Sequence, residues 1–267
     1  GGTIMFPMYP EFQGKTVLIT GGASGMGRQT ALDFAACGAN VAVVTRRSEQ
    51  AAKDTVAQIQ SLGGQGIYVL ADISVEDDAQ RMVQATLDAF GRLDIAFNNA
   101  GLGPDGTTIL RLPLDQVPTE DWDLVCNTNL RGLFLCLKYE LQQMKAQGSG
   151  CIVTTASTAG LKPMPEFGAY GPSKAGAIMM TKVAAMETRD KAIRANVICP
   201  GPTLGTALAD RSIGKLPEDG HLPTVGPTGV RMGCTTDISK TVLWLCSSQA
   251  EHINGNVITV DGGLDIF

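Results

Sequence analysis

Short runs of β-branched and aliphatic residues recur along the chain, each followed by a longer stretch whose apolar residues return every three or four positions. The runs are KTVLIT (15–20), NVAVVT (40–45), QGIYVLA (65–71), LDIAFN (93–98), GCIVTTAS (150–157), IRANVIC (193–199) and NVITVD (256–261). They are continuously hydrophobic rather than alternating, which predicts strands covered on both faces, as in a parallel sheet. Amphipathic stretches over 26–37, 48–62, 76–90, 119–147, 168–190 and 235–248 predict the helices between them. Strand follows helix throughout with no composition break or Pro/Ser-rich linker. That order predicts one α/β domain over 1–267, a doubly wound, seven-stranded parallel sheet with helices on both faces.

One region breaks the rhythm. Residues 201–232, GPTLGTALADRSIGKLPEDGHLPTVGPTGVRM, are rich in glycine and proline and only weakly helical. They follow the carboxyl end of a strand, where open α/β sheets place their ligands. They are expected to form a substrate lid with a short helix near 205–213.

Composition narrows the function. With 44% hydrophobic and 18% charged residues the chain can bury a large core, and a formal charge of −5 argues against nucleic acid or an anionic membrane as a partner held by bulk charge. No apolar run reaches the roughly 18 residues of a transmembrane helix, so no membrane partner is expected. The opening GGTIM reads as a tag remnant ahead of a start at Met5 or Met8, with residues 1–8 disordered. Seven scattered cysteines without metal-site spacing read as small buried hydrophobes of a reducing, cytoplasmic compartment. Two isolated histidines, His221 and His252, are too few for a histidine metal site, and no metal is expected.

Candidate chemistry begins directly after the first strand, at TGGASGMG (20–27). Gly21, Gly25 and Gly27, with Ser24 and Met26 between them, fall at the turn from strand to helix. Glycine there permits positive φ and lets backbone N–H groups approach a pyrophosphate at the helix N-terminus. At the end of the second strand, where NAD sites present a carboxylate to the ribose hydroxyls, this chain has Thr45-Arg46-Arg47. Guanidinium groups would bond a 2′-phosphate that a carboxylate would repel. The expected cofactor is NADP(H), with NAD(H) as the alternative.

The second centre is AYGPSK (169–174). Tyr170 and Lys174 are four residues apart and share a helix face. Either they are a buried phenol beside a surface cation, or they perform proton chemistry together. A phenol near pKa 10 exchanges protons poorly at neutrality, and a cation one turn away is expected to lower that value. Pro172 is tolerated only in a first turn, so the helix should begin close to Tyr170.

In combination these residues resemble the compact, single-domain short-chain dehydrogenase/reductases. The resemblance spans nearly the whole chain, from KTVLITGGASGMG to GNVITVDGG. It includes Asp72 in AD, NNAG (98–101), Asn129 in CNTNLRG, Ser157 in TTAS, the Tyr170–Lys174 pair and PG (200–201). Each motif is weak alone; their joint order at strand ends is specific. The resemblance implies a Rossmann-type fold and an oxidoreductase that interconverts a ketone, or a 3-oxoacyl group, and a secondary alcohol. A non-catalytic scaffold is the rival.

The same resemblance implies roles. Asp72 and the backbone of Ile73 would meet the adenine, and Asn99, Ala100 and Gly101 would line its ribose. Pro200, Gly201 and Thr203 would border the nicotinamide, although Gly205 stands where the family often has threonine, leaving Thr203 and Thr206 as alternatives. Tyr170 would be the acid/base, with Lys174 tuning it and holding the nicotinamide ribose. Ser157 would bond the substrate oxygen, and Asn129 would hold a relay water. Paired long helices imply a homotetramer, or a dimer, and the C-terminal LDIF would either reach a neighbour or cap its own subunit.

The residues expected to line the cleft are Leu102, Pro104, Leu161, Met164 and Phe167, with Lys162, Glu166 and His221 as polar exceptions. They favour a hydrophobic small-molecule carbonyl or alcohol.

Overall fold

The structure is a computed structural model and describes residues 9–264; the expectations for the opening segment and for the last three residues of LDIF lie outside it. Seven strands form one parallel sheet: β1 (Thr16–Thr20), β2 (Asn40–Thr45), β3 (Gln65–Leu70), β4 (Ile95–Asn98), β5 (Ser149–Thr155), β6 (Ala192–Pro200) and, last in the chain, β9 (Val257–Val260). Their spatial order is β3-β2-β1-β4-β5-β6-β9, the doubly wound arrangement expected. A separate two-stranded ladder pairs β7 (Thr203–Leu204) with β8 (Gly233–Cys234) at the two ends of the irregular segment.

The continuous hydrophobicity of the strands has the predicted cause. Side chains alternate across the sheet, and both faces are buried. Val17, Ile19, Val41 and Val43 enter a core beneath α1 (Gly25–Ala36), α2 (Glu49–Ser61) and α8 (Thr235–Cys246). Leu18, Ala42 and Val44 enter the opposite core, with α3 (Glu76–Phe90), α5 (Gly132–Gln147) and α6 (Tyr170–Glu187).

The register places the candidate chemistry at one edge. Thr20 lies opposite Asn98, and Asn98 opposite Thr154, so β1, β4 and β5 end side by side. The loops that follow, carrying Gly21, Asn99 and Ser157, emerge together at the carboxyl edge.

The helix expected over 119–147 departs from expectation. It begins as α4 (Thr119–Cys126), opens into a π-helical turn over Asn127–Arg131, and continues as α5. Hydrophobic spacing does not reveal such a turn, because it inserts a residue into the hydrogen-bond ladder without interrupting the helical pattern. It carries Asn129. In the irregular segment the short helix is present as α7 (Ala207–Ser212), capped by the Thr206 hydroxyl accepting from Ala209 N at 3.1 Å.

Candidate active site

The turn between β1 and α1 is built by its glycines. Gly21 and Gly25 have φ of 65° and 54°, a left-handed conformation that costs glycine little. A Cβ on Gly27 would fall on the Gly21 carbonyl oxygen, so only glycine lets α1 pack this close to the turn. Ser24 makes no side-chain capping bond, and Met26 packs partly buried on the core. The first N–H groups of α1, without a side-chain cap from Ser24, are donors of the kind that fits a cofactor pyrophosphate.

The edge at the end of β2 is charged and open. Arg46 and Arg47 are both exposed there. Arg46 Nη1 lies 3.4 Å from Asp72 Oδ2, a weak pair that the spacing of the two motifs does not reveal. Asp72 Oδ1 accepts from the Ser74 amide at 3.0 Å and from its hydroxyl at 2.6 Å. Partial burial works to raise the Asp72 pKa, but the bonds from Ser74 and the Arg46 charge overcome it and hold the carboxyl below its usual range. Ile73 is buried, packed where a Cβ on Gly132 would strike it.

Threonines stitch the loops to one another. Thr20 Oγ1 accepts from the Asn99 and Ala100 amides at 3.0 and 3.1 Å, and Thr155 Oγ1 donates to Asn99 Oδ1 at 3.2 Å. The Asn99 side chain is thus engaged in holding β5 against the segment after β4. Sequence reasoning singles out neither threonine, because nothing distinguishes their hydroxyls there from those of other strand threonines.

Tyr170 opens α6, as Pro172 predicts. Lys174, 5% exposed, donates from Nζ to the Thr155 carbonyl at 2.9 Å and lies 5.7 Å from the Tyr170 ring centre. Burial pulls its pKa down to about 8. Ser157 stands two residues beyond β5, its Oγ accepting from Ala159 N at 3.1 Å. The turn it starts packs on α6, because a Cβ on Gly160 would lie 2.8 Å from the Lys174 carbonyl carbon.

One expectation is reversed. Loss of hydration at Tyr170 is the dominant influence and raises its pKa above 10, with the Ser157 hydroxyl opposing only in part. The lysine is held against the Thr155 carbonyl instead of against the phenol oxygen, so the phenol is a stable neutral acid in the protein alone.

Asn129 is anchored by its side chain. Its Oδ1 accepts from Leu102 N at 2.8 Å, and its Nδ2 donates to Leu102 O at 2.7 Å and Ser173 Oγ at 3.0 Å. The side chain spends its donors fixing the segment after NNAG to α6. A Cβ on Gly101 would lie 3.2 Å from both Asn129 Oδ1 and Lys174 Nζ, which brings NNAG, the π turn and α6 to one point.

The irregular segment closes the far side. Pro200 ends β6, and Gly201 packs against Asp261. Thr203 is buried and donates back to the Gly201 carbonyl at 2.9 Å. Thr206, rather than Thr203, borders the glycine turn, its Cα 3.5 Å from a Cβ placed on Gly25. Gly205 has φ of 79°, which explains why threonine does not stand there. Arg211 of α7 reaches Asp105 at 2.5 Å, and Leu208 and Tyr170 both border Gly103.

Beside Tyr170 is a mainly apolar recess lined by Pro104, Ile109, Val117, Val125 and Phe167, with two carboxylates, Asp121 and Glu166, also in its lining. Pro104, Glu166 and Phe167 arrive as expected, whereas Val117 and Val125 come from around α4 and escape sequence reasoning. Leu161 and Met164 are exposed at the surface, and His221 is exposed in the irregular segment.

Comparison with known proteins gives matches over nearly the whole chain. A family model described as enoyl-(acyl carrier protein) reductase matches residues 21–265. The short chain dehydrogenase/reductase astE of Aspergillus oryzae is 38% identical, the match covering 96% of this chain and 97% of the relative. Among solved structures, levodione reductase superposes with a TM-score of 0.86 at 32% identity, covering 96% of this chain and 99% of that one. NAD⁺-bound xylitol dehydrogenase superposes with a TM-score of 0.82 at 28% identity, covering 95% of this chain and 100% of that one. Among the described residues, no helix is long and apolar enough to cross a membrane.

Proposed function

The chain belongs to the short-chain dehydrogenase/reductase family, an NAD(P)-dependent oxidoreductase acting on CH–OH groups, and from that premise we propose an NADP(H)-preferring enzyme that interconverts a hydrophobic ketone, or a 3-oxoacyl group, and its secondary alcohol. The observation that carries the reading is the convergence of Ser157, Tyr170, Lys174 and Asn129 at one strand edge, beside an apolar recess.

The glycine turn, Asn99 to Gly101, and the Pro200–Gly201 edge would hold the dinucleotide, with Lys174 toward the nicotinamide ribose. Bound there, the nicotinamide would give or take the hydride, chemistry no side chain supplies. Tyr170, a neutral phenol, gives its proton to the oxygen of a carbonyl being reduced, and in the reverse direction its phenolate accepts one. Ser157 directs that oxygen to the phenol by hydrogen bonding. Lys174, with a pKa of about 8, is mostly charged at neutrality and would be the cation beside the nicotinamide ribose. Asn129 keeps Leu102 and Ser173 in register around them.

Two exposed guanidinium groups at the end of β2 support NADP(H). Asp72 favours the second reading, NAD(H), because it pairs with Arg46 and would oppose a 2′-phosphate. A panel of ketones and alcohols, followed by nicotinamide absorbance with each cofactor, tests both. Higher kcat/KM with NADPH on apolar ketones is expected; activity confined to small polyanions overturns the substrate class.

The helices α4, α5 and α6 leave Trp122, Phe134, Met179, Val183 and Met186 exposed, Met179 and Met186 at 61% and 62%. Large apolar side chains left exposed on helices are what an interface between copies covers. A homotetramer, built through these helices, is the proposed assembly in a reducing, cytoplasmic setting.

A further inference from the structure

We propose that Glu140 is a positioning residue held as a neutral acid, whose proton is donated from Oε1 to Asn98 Oδ1, closing a two-bond ring that pins the end of β4 beneath Lys174.

Glu140 lies in the middle of the apolar stripe of α5, with Leu133, Cys136, Leu137 and Met144, and is 0% exposed. Its Oε2 accepts from Asn98 Nδ2 at 2.7 Å. Among the described residues, two buried oxygens of this same pair have no partner, Glu140 Oε1 and Asn98 Oδ1. Two acceptors cannot satisfy one another unless a proton lies between them. A protonated carboxyl supplies one O–H donor and needs only one, so a single proton satisfies both orphans. An ionised Glu140 would instead be a fully buried charge supported by one neutral amide, an arrangement that carries a large desolvation cost.

No ion pair to Glu140 offsets that cost: its one recorded bond is from Asn98, and the nearest cation, Lys174, bonds the Thr155 carbonyl. From α3, Met82 and Val83 enter the same core; from β5, Ile152; from α6, Ala177. The nearby titratable groups are Cys136 on α5 itself, whose thiol burial pushes up, and Lys174 on α6. Lys174 shares with Asn98, Asn129 and Cys136 a small cavity between the sheet and these helices. Burial pushes the Glu140 pKa up to about 7, against a partial opposing pull from the Asn98 amide.

The consequence for the site is positional. Asn98 is the last residue of β4 and leads directly into Asn99-Ala100-Gly101, whose final residue abuts Lys174 Nζ and Asn129 Oδ1. A ring with two hydrogen bonds fixes the Asn98 side chain, and with it the direction in which that segment leaves the sheet.

The test compares Glu140→Gln with Glu140→Leu. Glutamine can close the same ring at any pH, donating to Asn98 Oδ1 and accepting from Nδ2; leucine leaves both amide groups unpaired. E140Q should keep kcat and cofactor KM within about twofold of wild type, while E140L should lose about tenfold or more in kcat/KM, as expected for a buried polar group deprived of its partner. Infrared spectra of the purified wild-type protein slightly below neutral pH should contain a buried carboxylic-acid carbonyl band that E140Q lacks. Because the native acid keeps its proton where the unfolded chain has lost it, the wild-type melting temperature should fall relative to E140Q as pH rises from about 4 to about 7. Absence of the acid band, a wild-type-to-E140Q difference that does not change with pH, or equal kinetics of E140L and E140Q would each overturn the proposal. The infrared and melting measurements need neither substrate nor cofactor, so their outcome is separate from that of the proposed reaction.

Discussion

Lys174 Nζ donates to the Thr155 carbonyl at 2.9 Å, and this bond holds the ammonium at the end of β5 while the Tyr170 ring stands 5.7 Å away. The two groups are one helical turn apart in sequence, but the strand sets how the lysine is used. Burial favours the neutral form of both: the phenol stays protonated, and the lysine pKa comes down to about 8. A neutral donor beside a weakened ammonium suits a site that must both give up a proton and regain it.

Replacing Tyr170 with Phe should therefore leave folding and cofactor affinity intact and lower kcat by about 10²-fold or more, the usual contribution of one acid–base group. The check is kcat from steady-state assays beside dinucleotide affinity by fluorescence titration. Near-normal turnover would remove Tyr170 from the mechanism.

The depressed Lys174 pKa makes a second statement, about stability. The native group loses its proton near pH 8, whereas in the unfolded chain it keeps it to about 10.4. In that window the unfolded state binds more protons, so stability due to this group rises with pH. Below it the buried ammonium destabilises the fold by about 3 kcal/mol, the equivalent of the shift. Denaturant melts of wild type and Lys174→Met should thus diverge between about pH 8 and about pH 10, wild type gaining relative to the variant. A constant difference would mean that the lysine is not desolvated.

Much of this is legible in the amino-acid sequence alone. The strand runs, the glycine turn, the start of α6 at Tyr170 and the short helix α7 each follow from local rules of periodicity and proline or glycine geometry. What escapes is set by tertiary contact. The π turn at Asn127–Arg131 leaves the hydrophobic pattern of its helix unbroken, so nothing in the spacing marks it. The direction of the Tyr170 shift depends on burial, which no pair spacing reports. Glu140 does leave a signal, because a carboxylate in the stripe of Leu133, Cys136, Leu137 and Met144 conflicts with its neighbours. Its partner, Asn98, lies 42 residues away and is visible only as part of NNAG.

Arg46 and Arg47 give the test of cofactor choice. Changing Arg46 to Asp and Arg47 to a neutral residue should reverse the ratio of kcat/KM for NADPH over NADH, since a carboxylate repels the 2′-phosphate and accepts from ribose hydroxyls. Asp72→Asn should act in the opposite sense by freeing Arg46 from its pair. A preference unchanged by both variants would place cofactor discrimination elsewhere.

The exposed helix faces make a prediction about assembly. Met179, Val183 and Met186 lie on one side of α6, spaced by four and three residues. Charged replacements there, Val183→Glu with Met186→Glu, remove apolar area from the proposed interface and put like charges on both sides of any symmetric contact. Light scattering should record a fall from tetramer to smaller species. Unchanged mass would show that these helices do not form the interface.

The ion pair between Arg211 and Asp105 ties the proposed lid to the loop after NNAG, and its two ends are unequal. Asp105 is buried and accepts from the amides of Thr107 and Thr108 at 2.9 and 2.7 Å; Arg211 is half exposed. Burial works to raise the Asp105 pKa, but these amides and the Arg211 guanidinium together hold it well below the usual carboxylate range. The contribution of Asp105 to stability is therefore present above the unfolded pKa near 3.9 and is lost only as pH falls through the far lower native value. Arg211→Ala removes the tie while leaving the amide bonds to Asp105 in place, so the fold should lose no more than about 1 kcal/mol, as for a partly exposed pair. The larger effect belongs to α7, whose Leu208 borders Gly103 beside the Tyr170 ring. With α7 released, substrate KM should rise several-fold while kcat holds or increases, because lid opening or product release limits turnover in many enzymes. Asp105→Asn should instead cost stability, measurable as a lower melting temperature, because the carboxylate that organises the loop amides is gone. Equal kinetic effects of the two variants would mean that the pair supports the loop alone and does not control the lid.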